Sequence, residues 1–342
     1  MKYIGYIGSY TKVESEGVHR FELDTVEKKI KNVSLAAKLD GPTYLTLSDD
    51  NKFLYAVSKE DDKGGVTAFK VENDTLEKLN SQAQPGSAPC HVSVNKDNSL
   101  LVTANYHTEK AESYQVNADG SLEVASAVIQ TGKGPHERQE KPHLHYAGFT
   151  PDENYVVVVD LGGDTITTYE VEDSKLNKKA QLKVNPGTGP RHLVFHPTLP
   201  YAYVMTELSN EVIVLDFDEV EGTFEELQYI KTIPEDFTEN NQGSAIHVSS
   251  DGKFIYAGNR GHDSIAVFKI NDDHKLELID LTYTEGNWPR DFVLDPSEQF
   301  IVAANQESNT LALFERDSKT GKLTVLQTGI YAPEAVCVKF LN

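Results

Sequence analysis

Residues 189–207 read GPRHLVFHPTLPYAYVMTE. Two apolar runs, 191–196 and 201–206, flank Pro197-Thr198-Leu199-Pro200, and this spacing predicts the two strands of an antiparallel hairpin. Antiparallel pairing brings the start of the first strand and the end of the second to one sheet edge, so Arg191 and Glu207 meet although they are sixteen positions apart. In a lone hairpin such a pair would be an ordinary surface ion pair. This hairpin, however, recurs around the chain.

The segments SDDNKFLYAVS (48–58), NKDNSLLVTAN (95–105), TPDENYVVVVD (150–160), HPTLPYAYVMT (196–206), SSDGKFIYAGN (249–259) and DPSEQFIVAAN (295–305) superimpose without gaps. Each is followed by a polar turn, a third strand such as GGVTAFKV, NEVIVLDF, DSIAVFKI or NTLALFER, and a fourth strand leading to the next copy. Four antiparallel strands recurring every 45 to 55 residues or so is the pattern of propeller blades. The chain ends complete a seventh unit. Residues 3–9 (YIGYIGS) match the second strand and 17–23 (GVHRFEL) the third, while the missing first strand is supplied by 332–338 (APEAVCV). The expectation is an all-β, seven-bladed propeller forming a single domain over residues 1–342, with a last blade closed by N- and C-terminal strands and so without an exposed sheet edge.

The first strand of each blade lines the central channel, and its start faces the same mouth as the end of the second. Two rings of residues follow: Thr43, Cys90, His145, Arg191, Ser244, Arg290 and Glu334, and Tyr10, Lys59, Tyr106, Leu161, Glu207, Arg260 and Gln306. The residues before the second ring (Ser9, Ser58, Asn105, Asp160, Thr206, Asn259, Asn305) are small and polar, which suits side-chain ties to the turn backbone.

Composition narrows the function. A formal charge of -21 disfavours nucleic acid and anionic membrane surfaces as partners, and an anionic small substrate would need a local cationic pocket. Two cysteines, Cys90 and Cys337, make a disulfide framework improbable on numbers alone; with no apolar run of signal-peptide or membrane-span length, the expected location is cytoplasmic. Oligomeric state is left open. Against 26 lysines there are six arginines, and three of the six (Arg191, Arg260, Arg290) fall in the mouth rings. A planar, permanently charged fork suits a carboxylate or phosphate; the alternative is that these arginines brace blades through Glu207 and Asp291.

Histidines thicken at the same mouth. The segment 131–145, TGKGPHERQEKPHLH, is longer than the other inter-blade links and carries Arg138, His143 and His145. In an extended segment His143 and His145 point the same way, but two histidines without a clear third ligand do not make a metal site, and neither metal nor cofactor is expected. His91, His107 and His192 are further rim candidates. The absence of a G-x-S-x-G elbow, Walker loop or C-x-x-C disfavours a serine nucleophile, nucleotide phosphoryl transfer and dithiol redox chemistry.

The phrases IGSYT (7–11), GPTYL (41–45), APCHV (88–92), TANYH (103–107), GPHERQEKPHLH (134–145), GPRHLVFHP (189–197), GNRGHDSIAVF (258–268) and WPRDFVLDP (288–296) resemble the seven-bladed propeller lactonase family. That family contains bacterial 6-phosphogluconolactonases and fungal carboxymuconate-cyclising enzymes. The resemblance covers the whole chain, and its most specific piece is the GPHERQEKPHLH loop. It implies that His145, Arg191, Glu207 and Arg260 occupy the family's site. The function it implies is hydrolysis of a sugar-acid lactone, above all 6-phosphogluconolactone in the pentose phosphate pathway. His145 or Glu207 would be the general base, Arg191 and Arg260 the oxyanion donors, and Arg290 the holder of the anionic tail. Glu207 beside three arginines should have a depressed pKa, which favours an orienting role. His143, His91, Tyr106, Gln306 and Arg138 complete the expected substrate-binding set. The alternatives are a non-catalytic binding propeller and a muconate-type lactonising enzyme. Against the first, the chain has a single tryptophan, Trp288, and lacks the repeated Gly-His and Trp-Asp phrases of protein-binding propellers.

Overall fold

Every repeat becomes one four-stranded antiparallel sheet. The computed structural model describes residues 1–72 and 75–341; Asn73, Asp74 and Asn342, which fall within the expected 1–342 domain, lie outside the described residues. Six sheets run in chain order over residues 45–85, 91–129, 144–183, 190–231, 242–283 and 289–331, here blades 1 to 6. Blade 7 is made of Ala335–Phe340 innermost, then Lys2–Ser9, Gly17–Asp24 and Lys29–Lys38. The closure expected from the repeat count is therefore the one found.

The sequence of each strand follows from its distance from the channel. Second strands such as Tyr155–Asp160 (YVVVVD) are buried at every position, because neighbouring blades cover both faces. Outer strands such as Lys175–Lys183 alternate and carry the lysines. The apolar core is accordingly divided among the blade interfaces. Phe254, Tyr256 and Val267 of blade 5 pack on Ile301, Ala303 and Phe314 of blade 6, and Ile7 and Phe21 of blade 7 pack on Phe300, Val302 and Leu313 of blade 6.

Turn chemistry explains the polar half of the repeat. Ser48, Thr150 and Ser249 accept through Oγ the backbone N–H of Phe53, Tyr155 and Phe254, at 3.0, 3.1 and 3.0 Å. Asp295 does the same for Phe300 at 2.7 Å. Of the polar residues that precede the mouth ring, Asp160 accepts from the His143 and Gly162 N–H groups, and Asn259 and Asn305 donate to the Thr232 and Thr284 carbonyls of the preceding linkers, whereas Ser58 pairs with the Thr67 hydroxyl instead of backbone.

The innermost strands carry a recurrent irregularity that sets the mouth. Their register skips His145 between Leu144 and Tyr146, Arg191 between Pro190 and His192, Arg290 between Pro289 and Asp291, and Val336 between Ala335 and Cys337. A β-bulge re-aims the extra residue out of the ladder. Here the skipped residue lines the channel mouth in all four blades. In three of the four the residue two places earlier has a left-handed backbone: Gly189 (φ 59), Trp288 (φ 63) and Glu334 (φ 51). Glu334 thus corresponds to Gly189, and the expected ring position for blade 7 is corrected by two residues, to Val336.

Because Val336, Cys337, Val338 and Phe340 are buried, deleting residues 333–342 removes several core side chains at once. At ~1.5–3 kcal/mol for each large apolar group, the loss approaches the whole stability of an ordinary domain, about 5–15 kcal/mol. The truncated chain is expected to aggregate or to lose its cooperative melt. A monomeric product with an unchanged melting temperature would contradict closure of the ring by this strand.

Candidate active site

At the bulged mouth lies a cavity of about 640 Å³, within the usual range for small-molecule sites. Its cationic side chains are Lys12, Lys59, Arg138, Arg191, Arg260 and Arg290, against two carboxylates, Asp40 and Glu207. In a chain of formal charge -21 this is a local reversal of sign, the kind of concave field that concentrates an anion.

Glu207 organises one side. Its Oε2 accepts from Arg191 Nε at 3.0 Å and from Arg260 Nη2 at 2.6 Å, and its Oε1 accepts from Arg138 Nη2. Burial alone would raise this carboxyl, but the Arg260, Arg191 and Arg138 guanidiniums together hold it well below the usual range. Both oxygens are committed, so Glu207 anchors three guanidiniums. The arginines are fixed further by backbone: Arg191 Nη1 donates to the Ser244 carbonyl at 2.6 Å and Arg260 Nη2 to that of Gly243 at 2.7 Å. Burial lowers both guanidiniums from their ordinary value while Glu207 acts in the opposite direction; such a group remains charged at neutral pH. Among the described residues, Arg191 Nη2 and Arg260 Nη1 have no protein partner.

The long 131–145 link places Arg138. Gln139, fully buried, donates to the Leu161 carbonyl at 2.8 Å and to Asp164 Oδ1 at 2.7 Å. Asp164 in turn accepts the Gly187 and Gly189 N–H groups, each at 2.8 Å. One carboxylate therefore couples the loop that carries Arg138 to the strand start that carries Arg191.

His145 lines the cavity, and its Nδ1 is buried without a hydrogen-bond partner. Desolvation first, then Arg191, pushes it well below the ordinary imidazole value, so it is neutral at pH 7. Tyr106 lies edge-on to it, ring centroids 5.9 Å apart. Cys90 also reaches the cavity, but burial pushes its thiol up to about 12, which rules against a thiolate nucleophile at neutral pH.

Three expected contacts are not made. His143 does not line the cavity: it stacks behind Tyr106 at 4.2 Å, with Nδ1 on the Tyr106 carbonyl and Nε2 on Glu140. Its expected alignment with His145 fails because the bulge interrupts the alternation. His91 sits deeper in the channel, between Tyr44 (4.3 Å) and Tyr146 (4.6 Å), where its Nδ1 accepts the Ala147 N–H. Gln306 turns away and donates to Glu307 at 2.7 Å. In the rings themselves Leu161, Ser244 and Glu334 are also absent from the lining, whereas Gln242, which no sequence signal marked, and Trp288, which the family phrase WPRDFVLDP contains but no ring position included, are present. Trp288 lies 5.7 Å from the Arg260 guanidinium. Among the described residues no group of three His, Cys, Asp or Glu side chains is placed to hold a metal ion.

Fold and mouth together define a seven-bladed propeller with a cationic small-molecule site at one end of its channel. The model of the seven-bladed β-propeller lactonase family matches residues 4–340, and the chain belongs to that family. It is 53% identical to a 6-phosphogluconolactonase of Bacillus subtilis, over 100% of this chain and 99% of the relative. Among solved structures, a Lactobacillus plantarum protein superimposes with a TM-score of 0.98 at 42% identity, covering 100% of both chains. A periplasmic gluconolactonase of Pseudomonas aeruginosa superimposes with a TM-score of 0.93 at 28% identity, covering 100% of this chain and 99% of that one.

Proposed function

We propose that this chain hydrolyses 6-phosphogluconolactone to 6-phosphogluconate at the cationic mouth. The observation that carries this reading is the pairing of a neutral, cavity-lining His145 with two guanidiniums that Glu207 holds in place and that keep free donors. Neutral His145 takes a proton from water as the water oxygen bonds to the lactone carbonyl carbon. Negative charge developing on the carbonyl oxygen is met by Arg191 and Arg260, already oriented before substrate arrives. Collapse of the tetrahedral intermediate breaks the bond to the ring oxygen, which takes the proton back from His145 and leaves as a hydroxyl. The new carboxylic acid ionises. Arg290, at 5.6 Å from the Tyr10 ring and free of any protein carboxylate among the described residues, holds the anionic tail.

The same reading places the enzyme in the cytoplasm, in keeping with two free thiols and a phosphorylated substrate. Among the described residues no helix is long and apolar enough to cross a membrane. The test is hydrolysis of freshly generated 6-phosphogluconolactone by the purified protein, measured over the spontaneous rate and repeated with a chelator. Catalysis that persists in the chelator is expected. A rate equal to the spontaneous one would overturn the reading.

A pH dependence follows from the base. Burial and Arg191 lower the pKa of His145 below its unperturbed value, near 6.5, so the active neutral form persists on the acid side of that value. The profile of kcat/KM is expected to stay level from pH 8 through 6, with its acid limb lower still. An acid limb centred near 6.5 would contradict His145 as the base.

A further inference from the structure

The mouth has two unlike halves. Blades 3 to 5 contribute His145, Arg191, Glu207 and Arg260, a set closed by its own hydrogen bonds. Blades 6, 7 and 1 contribute Arg290, Tyr10, Lys12 and Lys59 to the facing arc. On this arc three cations face a single carboxylate. Lys12 Nζ lies 4.2 Å from the Tyr10 ring centroid and the Arg290 guanidinium 5.6 Å from the same centroid. Among the described residues none of Lys12, Lys59 and Arg290 is in a salt bridge. The carboxylate on this wall, Asp40, accepts from the Thr11 hydroxyl.

The wall is also built in advance. The turn carrying Lys12 is folded around Glu334, whose carboxylate accepts the N–H groups of Lys12, Val13, Glu14 and Ser15 at 2.9 to 3.1 Å. Lys59 is tied by its N–H to the Asp40 carbonyl at 2.9 Å, and its methylenes cover Gly41. Lys12 and Lys59 are exposed at the rim, so their ammonium groups are open to an incoming anion, and a phosphoryl group there would gain charge-assisted contacts.

We infer that Lys12 and Lys59, with Arg290 and the Tyr10 ring, form a phosphoryl-binding wall that sets the preference for a phosphorylated over an unphosphorylated lactone. This rests on the lactonase reading above. It adds the assignment of specificity to two lysines on the arc opposite the reacting carbonyl. A substrate whose carbonyl meets Arg191 and Arg260 extends its far end across the cavity to this arc. There a dianion gains two or three charge-assisted contacts that a plain hydroxymethyl group cannot make.

The test compares wild type, the double variant Lys12→Gln/Lys59→Gln, and the control Lys63→Gln, whose lysine lies outside the cavity lining. Calorimetric Kd values are measured for 6-phosphogluconate and for gluconate, and kcat/KM for the corresponding lactones. The ratio favouring the phosphorylated ligand is expected to fall by about tenfold or more in the double variant, the size of one or two charge-assisted contacts. It should stay at the wild-type value in the control. Inorganic phosphate, as a competitor, should weaken in parallel. Wild-type hydrolysis with an unchanged ratio in the double variant would overturn the wall while leaving the lactonase reading intact. Wild type without any hydrolysis would overturn both.

Discussion

His145→Ala is expected to lower kcat toward 6-phosphogluconolactone by roughly 10²–10⁴-fold, the usual range for loss of a general base. Stability should change little, because the imidazole gives up no hydrogen bond at Nδ1, which has none. Its ring contacts with Tyr106 and His192, at 5.9 and 5.2 Å, are edge contacts of modest worth. Kinetics and a thermal melt on the same preparation check both parts. A loss of less than threefold, with the fold retained, would remove His145 from the reaction and return the choice of base to other cavity groups.

Glu207→Gln should act differently, damaging stability and rate together. The side chain keeps its shape but loses the charge that Arg138, Arg191 and Arg260 share. Breaking a buried pair by removing one partner typically costs about 3–5 kcal/mol, because the other charge stays behind. For a 342-residue chain a fall in melting temperature of roughly 4–7 °C is expected on that basis. Turnover should drop by about a hundredfold or more as the oxyanion donors lose their fixed orientation. The pH sign is set by the depressed carboxyl: its contribution is present above the unfolded value and lost as pH falls through the folded one, so the stability gap between wild type and variant should narrow in acid. Equal melting temperatures at neutral pH would mean that the cluster is not held by this charge.

The blade architecture was readable because the repeats state the same physics: a polar side chain such as Ser48, Asn95, Thr150, Ser249 or Asp295 closing the turn, then a second strand buried over most of its length. Arg191 and Glu207 could be paired from antiparallel geometry alone, and their contact at 3.0 Å follows that geometry. What alternation could not supply was the bulge. It skips one residue per inner strand, which separates His143 from His145, and an alignment by residue type set Glu334 opposite Arg191 where backbone register sets Val336. The scarcity of arginine was informative only in part. Arg316, outside the rings, is also buried, donating to the Tyr256 hydroxyl at 2.7 Å and to the Glu298 carbonyl at 3.1 Å, and so braces blades 5 and 6. Lys12 was invisible among 26 lysines, since its placement depends on Glu334 folding a turn from the opposite end of the chain.

We propose that the lactone is opened at the Arg191–Glu207–Arg260 mouth. A crystal structure with 6-phosphogluconate bound tests it most directly. The product carboxylate is expected within hydrogen-bond distance of Arg191 and Arg260 and beside His145, with its phosphoryl group on the Tyr10 side. Product bound at the other end of the channel, beside His247 and Lys339, with this mouth empty, would contradict the claim.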